Sequence, residues 1–492
     1  MDLHAFEHHL TSPQGKRHMP DDGFTVTSGG GSCCDEITFS VQINDDTVTD
    51  AGFDADGCGS AHAAGSAAVT LVRGTPILDA ARIGTTEIAN ELGGLSPGKL
   101  HAAELAADAL ARALGQAVKA RGAVPAPQDD EPRTLVAMSG GVDSAVAAHL
   151  CASAGPTAAV TLELWADREN DAERSCCSAT AVAQARALAH TMGLSHFTID
   201  LRDAFRDGVV RPFIDGYAQG ETPNPCVGCN GHVRLDAMLE LADRLGCATL
   251  ATGHYARTAE PGDPRGPLLR VAEDPAKDQT YMLAALDPAS LERLRFPLGE
   301  LRKPQVRELA AQAGLPVAGK ADSQDLCFLA GTDRARFLAR HGGIADRPGE
   351  LVTTDGTVLG QHLGQHRFTV GQRRGLGVIQ SQPPEPLYVL DKDAATGRVT
   401  VGPKRQLATT RVQVRSARLH RPGARVDSVK LRYRSKPLRA SVAGDPAAGR
   451  HRELSLRLDE PVDGAAPGQL ACLMDGDLVV GWGTIARTRG WP

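Results

Sequence analysis

The order of apolar and polar positions divides the chain into three unlike regions. In the first, "EITFSVQI" and "VTDAGFDA" alternate with the period of a strand on either side of "NDD", which predicts an antiparallel hairpin. From about residue 60 to 120 apolar positions recur at helical spacing, as in "KLHAAELAADALARAL", so this region reads as a small α+β domain. In the second region short apolar runs ("TLVAM", "TAAVTLELW", "HFTIDL", "ATLATGHY") alternate with helical patterns such as "ATAVAQARALAHTMG". Strands that alternate with helices predict a doubly wound parallel α/β sheet. Beyond about residue 340 the runs shorten and are broken by Gly and Pro, as in "GELVTTDGTVLGQH", "GRVTVG", "VKLRYR" and "LVVGWGTIAR". That pattern predicts β-rich modules, a small linking domain followed by a terminal β-barrel.

"RGAVPAPQDDEPR" at 121–133 carries prolines and acids without apolar periodicity and reads as a linker. The expected organisation is a multidomain chain: an α+β domain over 1–120, a linker over 121–132, an α/β domain over 133–335, a central domain over 336–395 and a barrel over 396–492.

A length of 492 residues suits several cores rather than one. No run of about 18 apolar residues is present, so no membrane span is expected. The first twenty residues lack the apolar stretch of a secretory signal, and the expectation is a soluble cytoplasmic protein. A net charge of −6 does not announce a nucleic-acid binder, yet fifteen Lys or Arg stand against three acids between Lys404 and Arg457. Those cations suit either a phosphate-facing surface or a solvated barrel exterior. Eleven cysteines, clustered at Cys33/Cys34, Cys58, Cys176/Cys177, Cys226/Cys229 and Cys327, argue for metal or sulfur chemistry over a disulfide framework.

The segment Ser139-Gly140-Gly141-Val142-Asp143-Ser144 follows "TLVAM" and opens a helical pattern. Its glycines let backbone N–H groups approach an anion at a helix start. The lysine of a Walker loop is missing, which argues against γ-phosphate transfer of the P-loop type. The segment resembles the pyrophosphate loop of the ATP pyrophosphatase superfamily, which adenylates carbonyl oxygens; Asp143 would then help to hold magnesium.

"TPNPCVGCN" places Cys226 and Cys229 three residues apart, a spacing open to a zinc half-site, a redox pair or an iron–sulfur site. With Cys327 in "QDLCF" the chain offers three thiols, one short of a closed structural zinc site.

In order along the chain, "AMSGGVDSAVAAHL", "GETPNPCVGCNGHVRLDAML", "LATGHYAR", "KDQTYML", "KADSQDLCFL" and "FTVGQRRGLGV" resemble the tRNA-specific 2-thiouridylases (the MnmA family) over roughly 133–492. The resemblance implies an ATP pyrophosphatase domain, a small central domain and a barrel. It also implies exchange of the C2 oxygen of the wobble uridine for sulfur in tRNAs for Glu, Gln and Lys. By that resemblance Ala137, Met138, Ser139, Gly140, Gly141, Val142, Asp143, Ser144, Leu162 and Gly253 bind ATP. Asn224, Pro225 and Cys226 border the target base, and His254, Lys277, Asp278, Gln279, Arg432 and Tyr433 contact tRNA. Cys229 and Cys327 act as nucleophile and persulfide carrier; alternatively, Cys226, Cys229 and Cys327 hold a [4Fe–4S] cluster whose fourth iron binds hydrosulfide. The sulfur would come from a cysteine desulfurase or from hydrosulfide. Cys176 and Cys177 are expected to be structural or auxiliary.

Residues 1–120 resemble the NifU-like iron–sulfur scaffolds through "FEHHLTSPQGKRH", "GSCCDEITFSVQI", "ADGCGSAHAAGSA" and "SPGKLHAAELAADAL". Cys33, Asp35, Cys58 and His101 match the positions that hold iron or a [2Fe–2S] cluster. The third cysteine, expected just after the histidine, is Ala102; Cys34 or Glu104 could replace it. A domain tethered by the linker would see its acceptor at about millimolar effective concentration and could donate cluster or sulfur. Two other readings differ in class. One is an iron–sulfur carrier whose ATP domain gates release, which would need no basic barrel; the other is a ligase that adenylates a small carbonyl, which would need neither the barrel nor the separated cysteines.

Overall fold

The computed structural model describes residues 3–29, 34–120, 132–167, 179–259, 262–321, 326–329, 331–377 and 385–487. Two compact units are formed, one from 1–202, 236–254 and 293–328, the other from 203–235, 255–292 and 329–492.

The first unit begins with helix α1 (Leu3–Thr11) and three antiparallel strands, β1 (Phe24–Gly29), β2 (Glu36–Asn44) and β3 (Thr47–Asp56), in the order β1-β2-β3. The predicted hairpin is β2–β3, closed through Asp45, which sits at φ 54° as Asp tolerates in tight turns. Strand β1 was not expected, because "FTVTSG" offers only two apolar residues, Phe24 and Val26, on its half-buried face and ends on the buried Ser28. Four helices follow: α2 (Gly59–Val72), α3 (Ile77–Ala80), α4 (Thr85–Glu91) and α5 (Leu100–Ala120). The α5 stripe that runs from Ala102 to Val118 is mostly alanine and is buried, which allows a close approach to its neighbours.

Seven strands occupy 133–295: β4 (Arg133–Ala137), β5 (Thr157–Glu163), β6 (Ser195–Asp200), β7 (Cys247–Thr252), β8 (Arg257–Ala259), β9 (Leu268–Arg270) and β10 (Leu294–Arg295). Five of them build the predicted parallel sheet, in the order β10-β7-β4-β5-β6. Every residue of β5 is buried, as expected of a strand covered on both faces. Helices α6 (Val142–Ala154) and α7 (Ala179–Thr191) connect β4 to β5 and β5 to β6.

The N-terminal domain is not held by its linker alone. It covers β6, the edge of the parallel sheet, and so protects a row of backbone groups that would otherwise be open to foreign strands. The Ala81 carbonyl accepts from the His196 N–H at 2.8 Å, Ser195 Oγ donates to the Leu78 carbonyl at 2.6 Å, and Lys119 Nζ donates to the Asp200 carbonyl at 2.7 Å. A Cβ on Gly115 would stand 2.0 Å from the Thr198 carbonyl oxygen, so the helix lies against the strand only because that position is glycine. The expectation of a freely tethered donor is corrected accordingly: residues 1–120 dock on the α/β domain.

In the second unit, β11 (Gly349–Val352), β12 (Val358–His362), β13 (Leu387–Lys392) and β14 (Val399–Pro403) form a small sheet around Leu351, Phe368, Val389, Val399 and Val401. The last six strands are β15 (Ala408–Leu419), β16 (Ser428–Lys430), β17 (Leu438–Val442), β18 (Gly449–Asp463), β19 (Leu470–Asp475) and β20 (Leu478–Ile485). Pairing of β15 with both β18 and β20 closes them into the predicted barrel, and β9 and β8 extend the sheet from β20. "VKLRYR" is a strand only as far as Lys430. Ser435 turns the chain there, its N–H and hydroxyl both bonding the Arg432 carbonyl, so Arg432 and Tyr433 lie on a turn and not on the barrel wall. Among the described residues no helix is long and apolar enough to cross a membrane.

Candidate functional site

The phosphate loop leaves the carboxyl end of β4 where ligands of open α/β sheets bind. The Met138 N–H still pairs with the Val160 carbonyl at 2.8 Å, and Gly140 then takes φ 67° to turn the chain into α6. Ser144 ties the turn: its Oγ accepts from the Ser139 N–H and donates to the Gly141 carbonyl, both at 3.1 Å. Gly253 follows β7 and packs on the start of α6, where an added Cβ would meet the Ser144 nitrogen at 2.7 Å. Leu162 lies near the end of β5, the strand beside β4. Ala137, Met138, Val142 and Leu162 are buried. The structure therefore brings the sequence-predicted nucleotide residues to one end of one sheet.

Two lysines there were not assigned to the site from the sequence, although Lys320 opens the "KADSQDLCFL" stretch. Lys303 Nζ donates to both Asp143 oxygens, at 2.7 and 2.9 Å. Lys320 Nζ donates to the Gly140 carbonyl at 2.9 Å and to Gln184 at 3.1 Å. Lys303 opens a helix 160 positions after its partner, a separation no local pattern reveals. Asp143 offers hard carboxylate oxygens of the kind magnesium takes, and Lys303 pairs with both of them.

The thiol pair sits in the second unit. Asn224 caps the turn Pro225–Gly228 by accepting from the Cys226 N–H at 3.2 Å, and π-helical backbone follows over Cys229–Arg234. Such π segments recur at functional sites. Cys229 is buried and Cys226 half-buried. Asn224 Nδ2 reaches Met282 Sδ at 3.6 Å and Asn230 Nδ2 reaches the Met282 carbonyl at 3.4 Å. Tyr281 packs 6.3 Å from Tyr433, donates its hydroxyl to the Leu470 carbonyl at 2.9 Å, and is pushed well above the usual tyrosine range by burial. Asn230, Tyr281 and Met282 were missed because their neighbourhood is made by tertiary folding.

The proposed tRNA contacts divide. Arg432 is exposed and its guanidinium donates to the Gly464 carbonyl at 3.1 Å; Gln279 Oε1 accepts from the Tyr255 N–H at 2.9 Å; Lys277 is half-buried. Asp278 is buried, accepting from Thr280 Oγ1 at 2.9 Å and Lys430 Nζ at 3.2 Å, so its carboxylate shapes the loop from within. His254 belongs to the first unit and pairs with Thr252 at 2.8 Å. Cys327, also of the first unit, opens a short 3₁₀ turn and is half-buried.

In the N-terminal domain, ligand atoms of Asp35, Cys58 and His101 lie within 4.8 Å of one another, the one such group of three among the described residues. Cys58 caps α2 and its N–H donates to Asp35 Oδ1 at 3.1 Å, while His101 Nε2 lies 3.4 Å from Oδ2. Burial works to raise the Asp35 pKa, but these bonds prevail and hold the carboxyl below its ordinary range. A thiol, a carboxylate and an imidazole suit zinc or iron. Cys34 and Glu104 are outside the group, and Ala102 is fully buried, so the missing thiol is not replaced from either. Cys33, Cys176 and Cys177 lie outside the described residues.

Comparison with known families matches each part. A model described as NifU-like N terminal domain covers 5–122, tRNA methyl transferase HUP domain covers 132–331, tRNA methyl transferase PRC-barrel domain covers 335–403 and aminomethyltransferase beta-barrel domain covers 405–485. A protein of Rubrobacter xylanophilus named bifunctional protein NifU/MnmA is 41% identical over 97% of each chain. The chain belongs to the bifunctional NifU/MnmA family. Proteins named tRNA-specific 2-thiouridylase MnmA align with about three quarters of the chain. That of Rhizorhabdus wittichii is 44% identical over 72% of this chain and 92% of its own, and that of Corynebacterium glutamicum is 40% identical over 73% of this chain and 100% of its own. The NifU part of this family member thus carries the Asp35/Cys58/His101 group, and the MnmA part carries the phosphate loop and the Cys226/Cys229 pair.

Proposed function

We propose that this chain is an ATP-dependent tRNA sulfurtransferase that converts the C2 carbonyl of the wobble uridine, position 34, to a thiocarbonyl in tRNAs for Glu, Gln and Lys. A uridine carbonyl oxygen is a poor leaving group. Its attack on the α-phosphorus of ATP expels pyrophosphate and makes the oxygen part of a departing AMP. A sulfur nucleophile then adds to C2, and AMP leaves.

The loop from Ser139 to Ser144, with Gly253 against it, cradles the phosphates, and Leu162 borders the nucleotide. Asp143 would supply a ligand to magnesium, which neutralises the phosphates when bound. Asn224, Pro225 and Cys226 flank the base, while Lys277, Gln279, Arg432 and Tyr433 contact tRNA. The basic barrel adds phosphate contacts, which position without reading sequence. Cys226, Cys229 and Cys327 deliver sulfur. With a persulfide, the outer sulfur carried on Cys327 adds to C2 as AMP leaves. The Cys229 thiolate, as nucleophile, then breaks the S–S bond to free the thiocarbonyl, leaving a Cys229–Cys327 disulfide for an external thiol to reduce. With a [4Fe–4S] cluster, the three thiols would be its ligands and the cluster would supply a site for hydrosulfide. The Asp35/Cys58/His101 group would hold iron or a small cluster for the docked donor domain.

The observation that carries this reading is the union, in a NifU/MnmA family member, of a lysine-free phosphate loop with the Asn224-capped thiol pair. An iron–sulfur carrier with ATP-gated release is the alternative. Anaerobic purification with iron and sulfide counted, then thiolation of unmodified tRNA, tests both: thiolated tRNA is the expected product. A chain that exchanges clusters but never thiolates belongs to the alternative. Activity that tracks iron selects the cluster route; full activity without iron selects the persulfide.

A further inference from the structure

One side chain of the N-terminal domain ends on the strand that carries Leu162. The last residue of β5 is Glu163, and its buried carboxylate is gripped by both prongs of the Arg112 guanidinium: Nη2 lies 2.6 Å from Oε1 and Nη1 3.0 Å from Oε2. Arg112 is itself held. Its Nε donates to Asp108 at 2.7 Å, and Asp108 also accepts from Arg186 of α7 at 2.7 Å and from Ser28 of β1 at 2.8 Å. Two acids and two arginines therefore close a neutral quartet across the junction of α5 with β5 and α7. A bidentate fork fixes orientation as well as distance. Burial favours the neutral form of Glu163 and raises its pKa, with Arg112 opposing that rise, so the carboxylate depends on its partner to stay in place.

The end of β5 lies beside the strand from which the phosphate loop departs. We propose that Arg112 is a positioning residue for the nucleotide: by clamping Glu163 it sets the end of β5, hence Leu162, and makes the NifU-like domain a structural part of the ATP site. The proposal rests on Leu162 bordering the nucleotide. It gives the fused domain a role that needs no metal at Asp35, Cys58 and His101.

The test is binding of an ATP analogue with a methylene bridge between the α- and β-phosphates, measured calorimetrically on the full chain. Arg112→Gln and Glu163→Gln are each expected to weaken it by about tenfold, the scale of ordinary coupling between sites. Where turnover is measured, KM for ATP should rise by a similar factor with kcat little changed. Arg112→Lys, which keeps the cation between Asp108 and Glu163 but loses the fork, should retain more of the affinity than Arg112→Gln. Cobalt uptake at Cys58 should be unaltered in all of them. Wild-type affinity in whichever single variant folds, or an Arg112→Lys variant no better than Arg112→Gln, overturns the proposal. Analogue binding needs no tRNA, so a chain that binds ATP normally but never thiolates would refute the proposed function and leave this test readable.

Discussion

Lys303 Nζ sits 2.7 Å from one oxygen of Asp143 and 2.9 Å from the other, at the foot of the phosphate loop. A buried charge that loses its partner is costly, while loss of both partners is often tolerated. Asp143→Asn should therefore lower both the melting temperature and ATP-dependent pyrophosphate release. Adding Lys303→Met should restore the melting temperature and leave pyrophosphate release low. Recovery of both would mean that Asp143 serves the fold alone.

The three thiols separate the sulfur routes. Cys229→Ser and Cys327→Ser are each expected to abolish thiolated tRNA, read as retardation on an organomercury gel, while tRNA-dependent ATP–pyrophosphate exchange persists. Cys226→Ser should abolish thiolation along the cluster route and spare it along the persulfide route. Full thiolation by the Cys229 variant would remove that residue from the chemistry.

The Asp35/Cys58/His101 group should bind one cobalt ion with a thiolate charge-transfer band, lost in Cys58→Ser and weakened in His101→Ala. Metal ligands must be deprotonated, so affinity should fall with acid. A band that survives Cys58→Ser would place the metal elsewhere.

Lys392 is buried, donating to the Phe368 carbonyl at 2.9 Å, and its pKa is pushed down to about 7 by burial and by the nearby Arg334 and Arg487. The unfolded chain keeps this proton up to about pH 10.4, so between about 7 and 10 the unfolded state binds more protons and stability rises with pH. Below about pH 7 the charged lysine penalises the fold in full. The difference in melting temperature between wild type and Lys392→Met should therefore narrow or reverse as pH climbs through that window. A difference independent of pH would show that Lys392 titrates normally.

Much of this was legible in the chain. Runs such as "TAAVTLELW" marked the parallel strands because a strand covered on both faces is a mainly apolar run, and "SGGVDS" marked the loop because its geometry is local. Residues whose roles depend on distant partners were not legible: Lys303 with Asp143, Arg112 with Glu163, Asn230 with Met282. Docking of the N-terminal domain was hidden for the same reason, since Gly115 shows its purpose only against the Thr198 carbonyl. Arg432 and Tyr433 were read into a strand because "VKLRYR" has strand propensity, which the Ser435 turn overrides.

The central claim is that the uridine C2 oxygen departs on AMP. A tRNA transcript with ¹⁸O at C2 of the wobble uridine, incubated with the chain, ATP and a sulfur donor, tests it most directly by mass spectrometry of the released nucleotide. The account predicts one ¹⁸O in AMP for each 2-thiouridine formed. Thiouridine accompanied by unlabelled AMP, with the ¹⁸O in water or pyrophosphate, would contradict it.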